Sequence, residues 1–121
     1  MPAKFRCAAY TDIVKEGKRM EPIVLCGANS YEEKYYFNPL FDKIPQQVKD
    51  ELQILCVVFT EEVGGIMVMQ FDEEGTLQFQ CHWDEEDLLY DEIGAELMIK
   101  RYRREKEELL VSLEQFYRVF V

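Results

Sequence analysis

The residues best suited to chemistry lie together in the stretch QCHWDEEDLLYDE, residues 80–92. It contains the chain's only histidine, His82, between Cys81 and the only tryptophan, Trp83. Carboxylates follow at close spacing, among them Asp84, Asp87 and Asp91. A histidine, a thiol and several carboxylates could build a metal site or a nucleophilic cysteine site. The same residue types could instead mark the end of a strand and the start of a helix.

A metal site would need more ligands than this sequence provides. On a helix, Asp87 and Asp91 would share one face, as would Glu92 and Glu96. Zinc and di-iron sites, however, combine such carboxylates with several histidines or cysteines at short, fixed spacing. The chain has a single histidine, no CxxC pair and no EF-hand spacing of alternate carboxylates. The sequence therefore predicts no metal ligand and no cofactor.

A cysteine nucleophile is equally poorly supported. Cys81 and His82 are neighbours, and neighbouring residues on a strand point to opposite faces of the sheet. The other cysteines, Cys7, Cys26 and Cys56, are far apart and have no histidine of their own to act as a base. Cysteine often serves as a small buried apolar residue, and we predict that role for all four. No catalytic residue is predicted, and the sequence leans against an enzyme without deciding the question.

The stretch fits the start of a helix better. With Asp84 as the N-cap, the three acids that follow would face the positive end of the helix dipole. Trp83 and Leu88 would then occupy the two positions of a hydrophobic staple. We predict a strand-to-helix junction here, with His82 as a solvent-facing strand residue.

Two segments before this junction have clear periodicity. After Pro45, apolar residues recur on one helical face as far as Phe59, and Gly64 follows, which predicts a helix over 46–62. Alternating residues on both sides of the turn DEEG predict a β-hairpin over 66–82.

Apolar residues at steps of three and four predict a long C-terminal helix over 85–120, with one polar interruption at Lys106. Such a helix, if continuous, would measure roughly 54 Å, which exceeds the dimensions of a compact domain of this size. It should therefore either break, most easily near Gly94, or project and meet a partner.

Residues 22–37 allow two interpretations. Ser30 and Glu33 have capping-box spacing, which favours a short helix. The run KYYF at 34–37 contains three aromatic residues, which favour a strand. With either interpretation, residues 20–121 are predicted to form one α+β domain in which the two helices cover an antiparallel sheet.

Residues 1–19 differ in charge from the rest of the chain. They contain five basic and two acidic residues, whereas the remainder has nine basic and 22 acidic residues, a net charge of −13. The codons for 15–17 can contain a bacterial ribosome-binding sequence ahead of Met20, so 1–19 could be an extension that is not native. The alternative is an edge hairpin that joins 5–14 to 22–26.

Composition limits the class of protein. The chain of 121 residues is 48% hydrophobic, enough for one packed domain, and its net charge of −10 argues against binding to nucleic acid or anionic membranes. No apolar run approaches the length of a membrane span or a signal peptide. We predict a cytoplasmic protein with no membrane association.

Opposite charges are segregated along the predicted C-terminal helix. Residues 84–96 contain seven acids, whereas 100–106 contain five of the nine bases that follow residue 19. Two such helices packed antiparallel about a centre near Met98 would pair acid with base twice, as in a twofold dimer. We therefore hypothesise a non-catalytic interaction or regulatory protein that forms a homodimer or binds an unidentified protein. The predicted interface consists of Asp87, Asp91, Glu92, Glu96, Lys100, Arg101, Tyr102, Arg103, Arg104 and Lys106.

Other functions stay open. The arginines of 100–106 could receive an anionic ligand or nucleic acid, although the net charge opposes the latter. The acidic surface could act as a decoy that mimics nucleic acid and binds a basic protein. An enzyme or small-ligand binder is a further alternative. Its site would lie near Cys26, Asn29, Ser30, Tyr35 and Tyr36.

The run VLCGANSYEEKYYFNPLFDKIPQQVKDELQ, together with FTEEVGG, FDEEG, LLYDEIG and EQFYRVF, resembles an uncharacterised family of short acidic proteins from anaerobic Gram-positive bacteria. The resemblance covers roughly residue 22 to the end and contains no catalytic motif. Members of that family begin near the position of Met20, which supports the interpretation of 1–19 as an extension. The resemblance implies a domain of unknown function and supplies no ligand or partner.

Overall fold

The computed structural model describes residues 6–7 and 23–120. In these ranges the chain forms five strands and three α-helices. A short 3-10 turn, Pro39–Phe41, precedes the first helix. The elements in chain order are β1 Arg6–Cys7, β2 Ile23–Asn29, β3 Lys34–Phe37, α1 Gln46–Val63, β4 Ile66–Phe71, β5 Leu77–His82, α2 Glu92–Glu105 and α3 Glu107–Phe120.

The five strands form one sheet in the order β1-β3-β2-β4-β5. Strands β2 to β5 pair antiparallel, and β1 lies parallel to β3 at the edge. The predicted α+β fold with an antiparallel sheet is therefore confirmed. Both sides of β2 are occupied by β3 and β4, so Arg6–Cys7 does not pair with β2 as the N-terminal hairpin would require. The rest of the predicted 1–19 extension lies outside the described residues.

The predicted helix and hairpin are both confirmed. Helix α1 begins after Pro45 and ends at Val63, before Gly64, whose φ of 87° only glycine adopts easily. The turn between β4 and β5 is held by Asp72, whose Oδ1 accepts hydrogen bonds from the backbone N–H groups of Glu74 and Thr76. Those bonds hold the pKa of the Asp72 carboxyl below its usual range, with the Thr76 bond as the largest cause.

The stretch KYYF is a strand, so the helical alternative from Ser30 is wrong. Residues 30–33 form a turn in which the Asn29 side chain accepts hydrogen bonds from the N–H groups of Tyr31 and Glu32. Glu33 has a φ of 55°, in the left-handed region, which ends any helix there. Ser30 donates its hydroxyl to the carbonyl of Gly65 at 2.8 Å and ties this turn to the end of α1.

The core lies between one face of the sheet and the three helices. Cys26 of β2 and Met69 of β4 are fully buried there against Cys56 and Phe59 of α1. The opposite face of the sheet carries a second, smaller buried cluster around Val24 and Val68. None of the helices in 23–120 combines the length and apolarity needed to cross a membrane.

The C-terminal helical segment is shorter than predicted and is divided. Helix α2 begins at Glu92, because residues 83–91 form turns, and it ends at Glu105. The break falls at Lys106 rather than near Gly94, which lies inside the first turn of α2. A bend at Lys106 lets each helix bury its own apolar stripe: Ala95, Met98 and Tyr102 in α2, and Leu110 and Leu113 in α3.

Candidate functional site

Residues 83–91, which we call the junction loop, connect the end of β5 to the start of α2. Asp84 accepts a hydrogen bond from the N–H of Glu86 at 3.0 Å, and Asp87 accepts one from the N–H of Leu89 at 3.0 Å. Such side-chain bonds to the backbone two residues ahead compete with helix formation. The predicted N-cap at Asp84 is therefore wrong, and the loop is a pair of tight polar turns.

The real N-cap of α2 is Asp91. Its carboxylate accepts a hydrogen bond from the N–H of Gly94 at 2.8 Å. Its own backbone N–H donates to the carbonyl of Val63 at 3.0 Å, so the start of α2 is fixed to the end of α1. The capping chemistry that was expected at Asp84 is thus moved seven residues along the chain.

The junction loop is also held by a residue far away in the sequence. The hydroxyl of Tyr31 donates to the Asp87 carboxylate at 2.6 Å and accepts from the N–H of Asp84 at 3.0 Å. Burial raises the pKa of the Tyr31 hydroxyl, and the hydrogen bond to the Asp87 carboxylate raises it further. The Tyr31 hydroxyl therefore stays protonated and donates to Asp87 over the physiological pH range.

Two aromatic residues at the ends of the loop stack on each other. The rings of Trp83 and Tyr90 lie 4.4 Å apart and 7° from parallel. Trp83 therefore does not pair with Leu88 as a hydrophobic staple, and Leu88 is almost fully exposed. The Tyr90 ring also lies directly against Gly65. A Cβ at that position would lie 2.8 Å from the ring, so only glycine leaves enough room.

The hydroxyl of Tyr90 lies near enough to the thiol of Cys81 for each group to shift the pKa of the other. Burial is the main reason that the pKa of Tyr90 lies well above its ordinary value. Burial also raises the pKa of the Cys81 thiol, while the neighbouring Tyr90 hydroxyl lowers that pKa in part. Both groups are therefore neutral near pH 7.

A cavity of about 360 Å³, which we call the junction pocket, lies between these aromatic rings and α2. Two of its lining residues are aromatic, two are carboxylates, and the others are apolar apart from the thiol of Cys81. The lining residues are Cys81, Trp83, Tyr90, Glu92, Ile93, Ala95, Glu96 and Ile99. In residues 23–120 no three His, Cys, Asp or Glu side chains converge in a way that could hold a metal ion.

The side of α2 that faces away from the core, which we call the α2 outer face, consists of Ile93, Leu97, Lys100 and Arg104. The two apolar residues are 73% and 61% exposed. Leu88 and Leu89 of the junction loop are each 92% exposed. Exposed apolar residues that follow one another in this way often mark an interaction surface.

The predicted interface residues fall into separate groups in the structure. Glu92, Glu96, Lys100, Arg101 and Arg104 are exposed on α2. The other members, although several remain exposed, all make bonds within the chain. Asp87 and Asp91 accept hydrogen bonds from the backbone of the junction loop and of α2. The Tyr102 hydroxyl donates to the carbonyl of Leu55 at 3.1 Å, and the Arg103 guanidinium lies over the Phe79 ring at 4.9 Å. Lys106 forms an ion pair with Glu51 at 2.9 Å.

The alternative ligand site does not form one surface. Cys26 is fully buried, with its sulfur 3.6 Å from that of Cys56, and Asn29 and Ser30 use their side chains in the turn described above. Tyr35 is buried on the core side of β3, whereas Tyr36 packs with the cluster on the opposite face of the sheet.

The sequence of the chain matches a family described as a family of unknown function, DUF6145, over residues 22–121. The chain belongs to DUF6145. The resemblance to a family of unknown function is therefore confirmed. No curated protein and no solved structure matches it. The matched region of this DUF6145 protein includes β2 to β5, all three helices and the whole junction pocket.

The pocket is what sequence reasoning missed in this DUF6145 member. Trp83 and Tyr90 lie at the two ends of an acidic loop. This pair of aromatic residues around a run of acids is the feature of the sequence that could have indicated the pocket. Tyr90 lies against Gly65, and Tyr31 bonds to Asp87 between the two rings, so the surroundings of the ring pair come from residues distant in sequence that local patterns do not reveal.

Proposed function

We propose that this protein is a non-catalytic, cytoplasmic interaction or regulatory protein that works as a homodimer through the α2 outer face. The observation that carries the proposal is the exposure of Ile93, in the first turn of α2, and of Leu97, one turn later, on a helix whose two ends carry opposite charge. The free thiols of Cys26 and Cys56, 3.6 Å apart, support a reducing compartment such as the cytoplasm.

The charge order along α2 suits an antiparallel partner of the same sequence. In a twofold pair centred near position 98, Glu92 would lie level with Arg104 of the second copy, and Glu96 level with its Lys100. Each pair would occur twice, because a twofold interface repeats every contact. A parallel arrangement would bring like charges together, so the charge order favours one orientation.

The centre of the proposed interface is set by the packing of α2. Met98 itself points into the core of its own domain and is only 6% exposed, so it is unavailable to a partner. Leu97, one residue earlier, lies on the outer face and would meet its own copy next to the axis. Burial of this leucine and of Ile93 would supply the apolar part of the association.

Light scattering during size-exclusion chromatography at micromolar concentration tests the proposal. We expect the wild type to be a dimer that weakens at high salt, since charge pairs at the edge of an interface are screened. Leu97→Gln should shift the protein to a monomer. Ile54→Gln is the matched control, because Ile54 is equally exposed, at 60%, but lies on α1. A monomeric wild type at low salt would end the proposal.

Charge reversal gives a test of orientation. Glu96→Lys and Lys100→Glu should each weaken the dimer, because each places like charges opposite one another in a symmetric pair. A mixture of the two single variants should form a heterodimer, in which both contacts again join opposite charges. If the mixture remained monomeric while the wild type is dimeric, the antiparallel arrangement would be wrong.

A further inference from the structure

We infer that the junction pocket is a binding site for an organic cation, an alkylammonium or guanidinium group. The pocket is formed by one chain, so the inference stands without the homodimer, but Glu92, Ile93 and Glu96 belong both to the pocket and to the proposed dimer interface. Its volume of about 360 Å³ lies at the lower end of the range for small-molecule sites.

The aromatic wall provides the first part of the recognition. Trp83 is 41% exposed, and both it and Tyr90 line the cavity. Cations are attracted to the electron-rich faces of aromatic rings, and tryptophan is the strongest of these. The ring contact between Trp83 and Tyr90 fixes both residues before a ligand arrives, which lowers the entropy cost of binding.

The carboxylates provide the second part. Glu92 and Glu96 are one turn apart on α2, and both line the pocket. Neither takes part in any ion pair in the described part of the chain. Two neighbouring acids without a counter-charge repel each other, and a bound cation would remove that repulsion.

The apolar lining decides the kind of cation. Ile93, Ala95 and Ile99 form the rest of the surface, together with the neutral thiol of Cys81. Mg²⁺ and Ca²⁺ are hydrated ions that prefer oxygen ligands, so they would gain nothing from the aromatic and aliphatic side chains that form most of this lining. An organic cation can place its charge at the two carboxylates and its carbon atoms against the isoleucines.

Such a group could come from a free small molecule or from a basic side chain of a protein, including Lys100 or Arg104 of a second copy. Trp83 is the only tryptophan in the chain, so its fluorescence reports directly on the pocket. Wild type and Leu97→Gln should be titrated with N-acetyl-arginine amide and with tetramethylammonium at constant ionic strength. N-acetyl-citrulline amide, which has nearly the same shape but no charge, is the ligand control.

We expect a saturable change in Trp83 emission with the cations and none with the citrulline compound. Glu92→Gln/Glu96→Gln should weaken binding by about tenfold, as expected for the loss of two partly exposed charge contacts. Glu107→Gln/Glu108→Gln, which removes two exposed acids from α3, should leave the affinity unchanged.

The source of the cation follows from the comparison of the two proteins. Equal binding to wild type and Leu97→Gln would identify a free cation as the ligand. Binding to Leu97→Gln alone would show that a second copy already fills the wild-type pocket, and Lys100→Gln/Arg104→Gln should then restore binding. A monomeric wild type that binds the cations would overturn the homodimer and leave this inference intact. If neither protein gave a saturable response, or if the citrulline compound gave an equal response, the inference of a cation site would be wrong.

Discussion

The hydroxyl of Tyr31 donates a 2.6 Å hydrogen bond to the carboxylate of Asp87, 56 residues further along the chain. The same hydroxyl accepts a bond from the N–H of Asp84, so one side chain fixes both turns of the junction loop. The turn that contains Tyr31 is bonded to the end of α1, because the hydroxyl of Ser30 donates to the carbonyl of Gly65. The wall of the junction pocket therefore depends on contacts between three separate parts of the sequence.

Tyr31→Phe should loosen the junction loop without unfolding the domain. Because Tyr31 is 45% exposed, we expect a loss of only about 1 kcal/mol in the free energy of unfolding. Amide hydrogen exchange should accelerate in peptides that cover 83–91 and stay unchanged in α1. Asp87→Asn, which keeps the shape of the side chain, should give a smaller acceleration. Unchanged exchange in the loop of Tyr31→Phe would show that the bond does not hold it.

Asp91→Ala should lower stability more than Asp84→Ala. Asp91 caps α2 through the N–H of Gly94, and the loss of such a cap costs about 1 kcal/mol. The side chain of Asp84 bonds only within the exposed loop, and its backbone bond to Tyr31 survives the substitution, so Asp84→Ala should have a smaller effect. Urea denaturation of the two variants measures the difference. Equal losses of stability in the two variants, or a larger loss in Asp84→Ala, would favour a helix that begins at Asp84, as the sequence pattern predicts.

This contrast shows why the sequence predicted the wrong start for α2. Asp84 and Asp91 are both chemically able to cap a helix, and the acids after Asp84 suit a first turn. The choice is made by the backbone bond from Asp91 to Val63 and by the contact of Tyr31 with the loop. Both are tertiary contacts, whereas α1 and the hairpin follow from periodicity and glycine positions within single segments.

The division of the C-terminal helix has a similar explanation. Glycine is the usual weak point of a helix, but Gly94 lies in the first turn, where its N–H is bonded to Asp91. The break at Lys106 coincides with the single polar interruption of the apolar stripe, and Lys106 is held there by Glu51. The sequence contained the interruption, but only the packing of both helices on one sheet made it a bend.

Tyr102→Phe should remove a buried hydrogen bond and change how stability depends on pH. The Tyr102 hydroxyl donates to the carbonyl of Leu55, and burial is the main reason that its pKa rises from 10.0 to about 12. As pH rises, the Tyr102 proton is therefore lost from the unfolded chain before it is lost from the folded chain. The contribution of Tyr102 to the free energy of unfolding falls as pH rises from 10.0 to about 12. Below that window it should amount to about 1 kcal/mol.

Denaturation of wild type and Tyr102→Phe across this alkaline range tests the sign. The difference in the free energy of unfolding should be constant below pH 10.0 and should shrink above it. Other tyrosines titrate in both proteins and cancel in the comparison. A difference that grew with pH would mean that the Tyr102 hydroxyl ionises more easily in the folded chain.

Cys81 should react with iodoacetamide in the folded protein long before Cys26 and Cys56. Cys81 is partly exposed at the junction pocket, whereas the other two are fully buried and face each other. The hydrogen bond between the two free thiols is the largest reason that the pKa of Cys56 lies well above its ordinary value, and burial is the second. Because the thiolate is the reactive form, Cys56 should react only when the domain opens.

Peptide mass spectrometry after timed labelling measures the order of reaction, and urea at denaturing concentration should abolish the difference. Modification of Cys81 would place a new group in the wall beside Tyr90, so it should also change Trp83 emission and block the binding of cations. Cys81→Ser should prevent the blocking while preserving the pocket, since serine keeps a hydroxyl in place of the thiol. Labelling of Cys56 as fast as Cys81 would mean that the core opens far more readily than its packing implies.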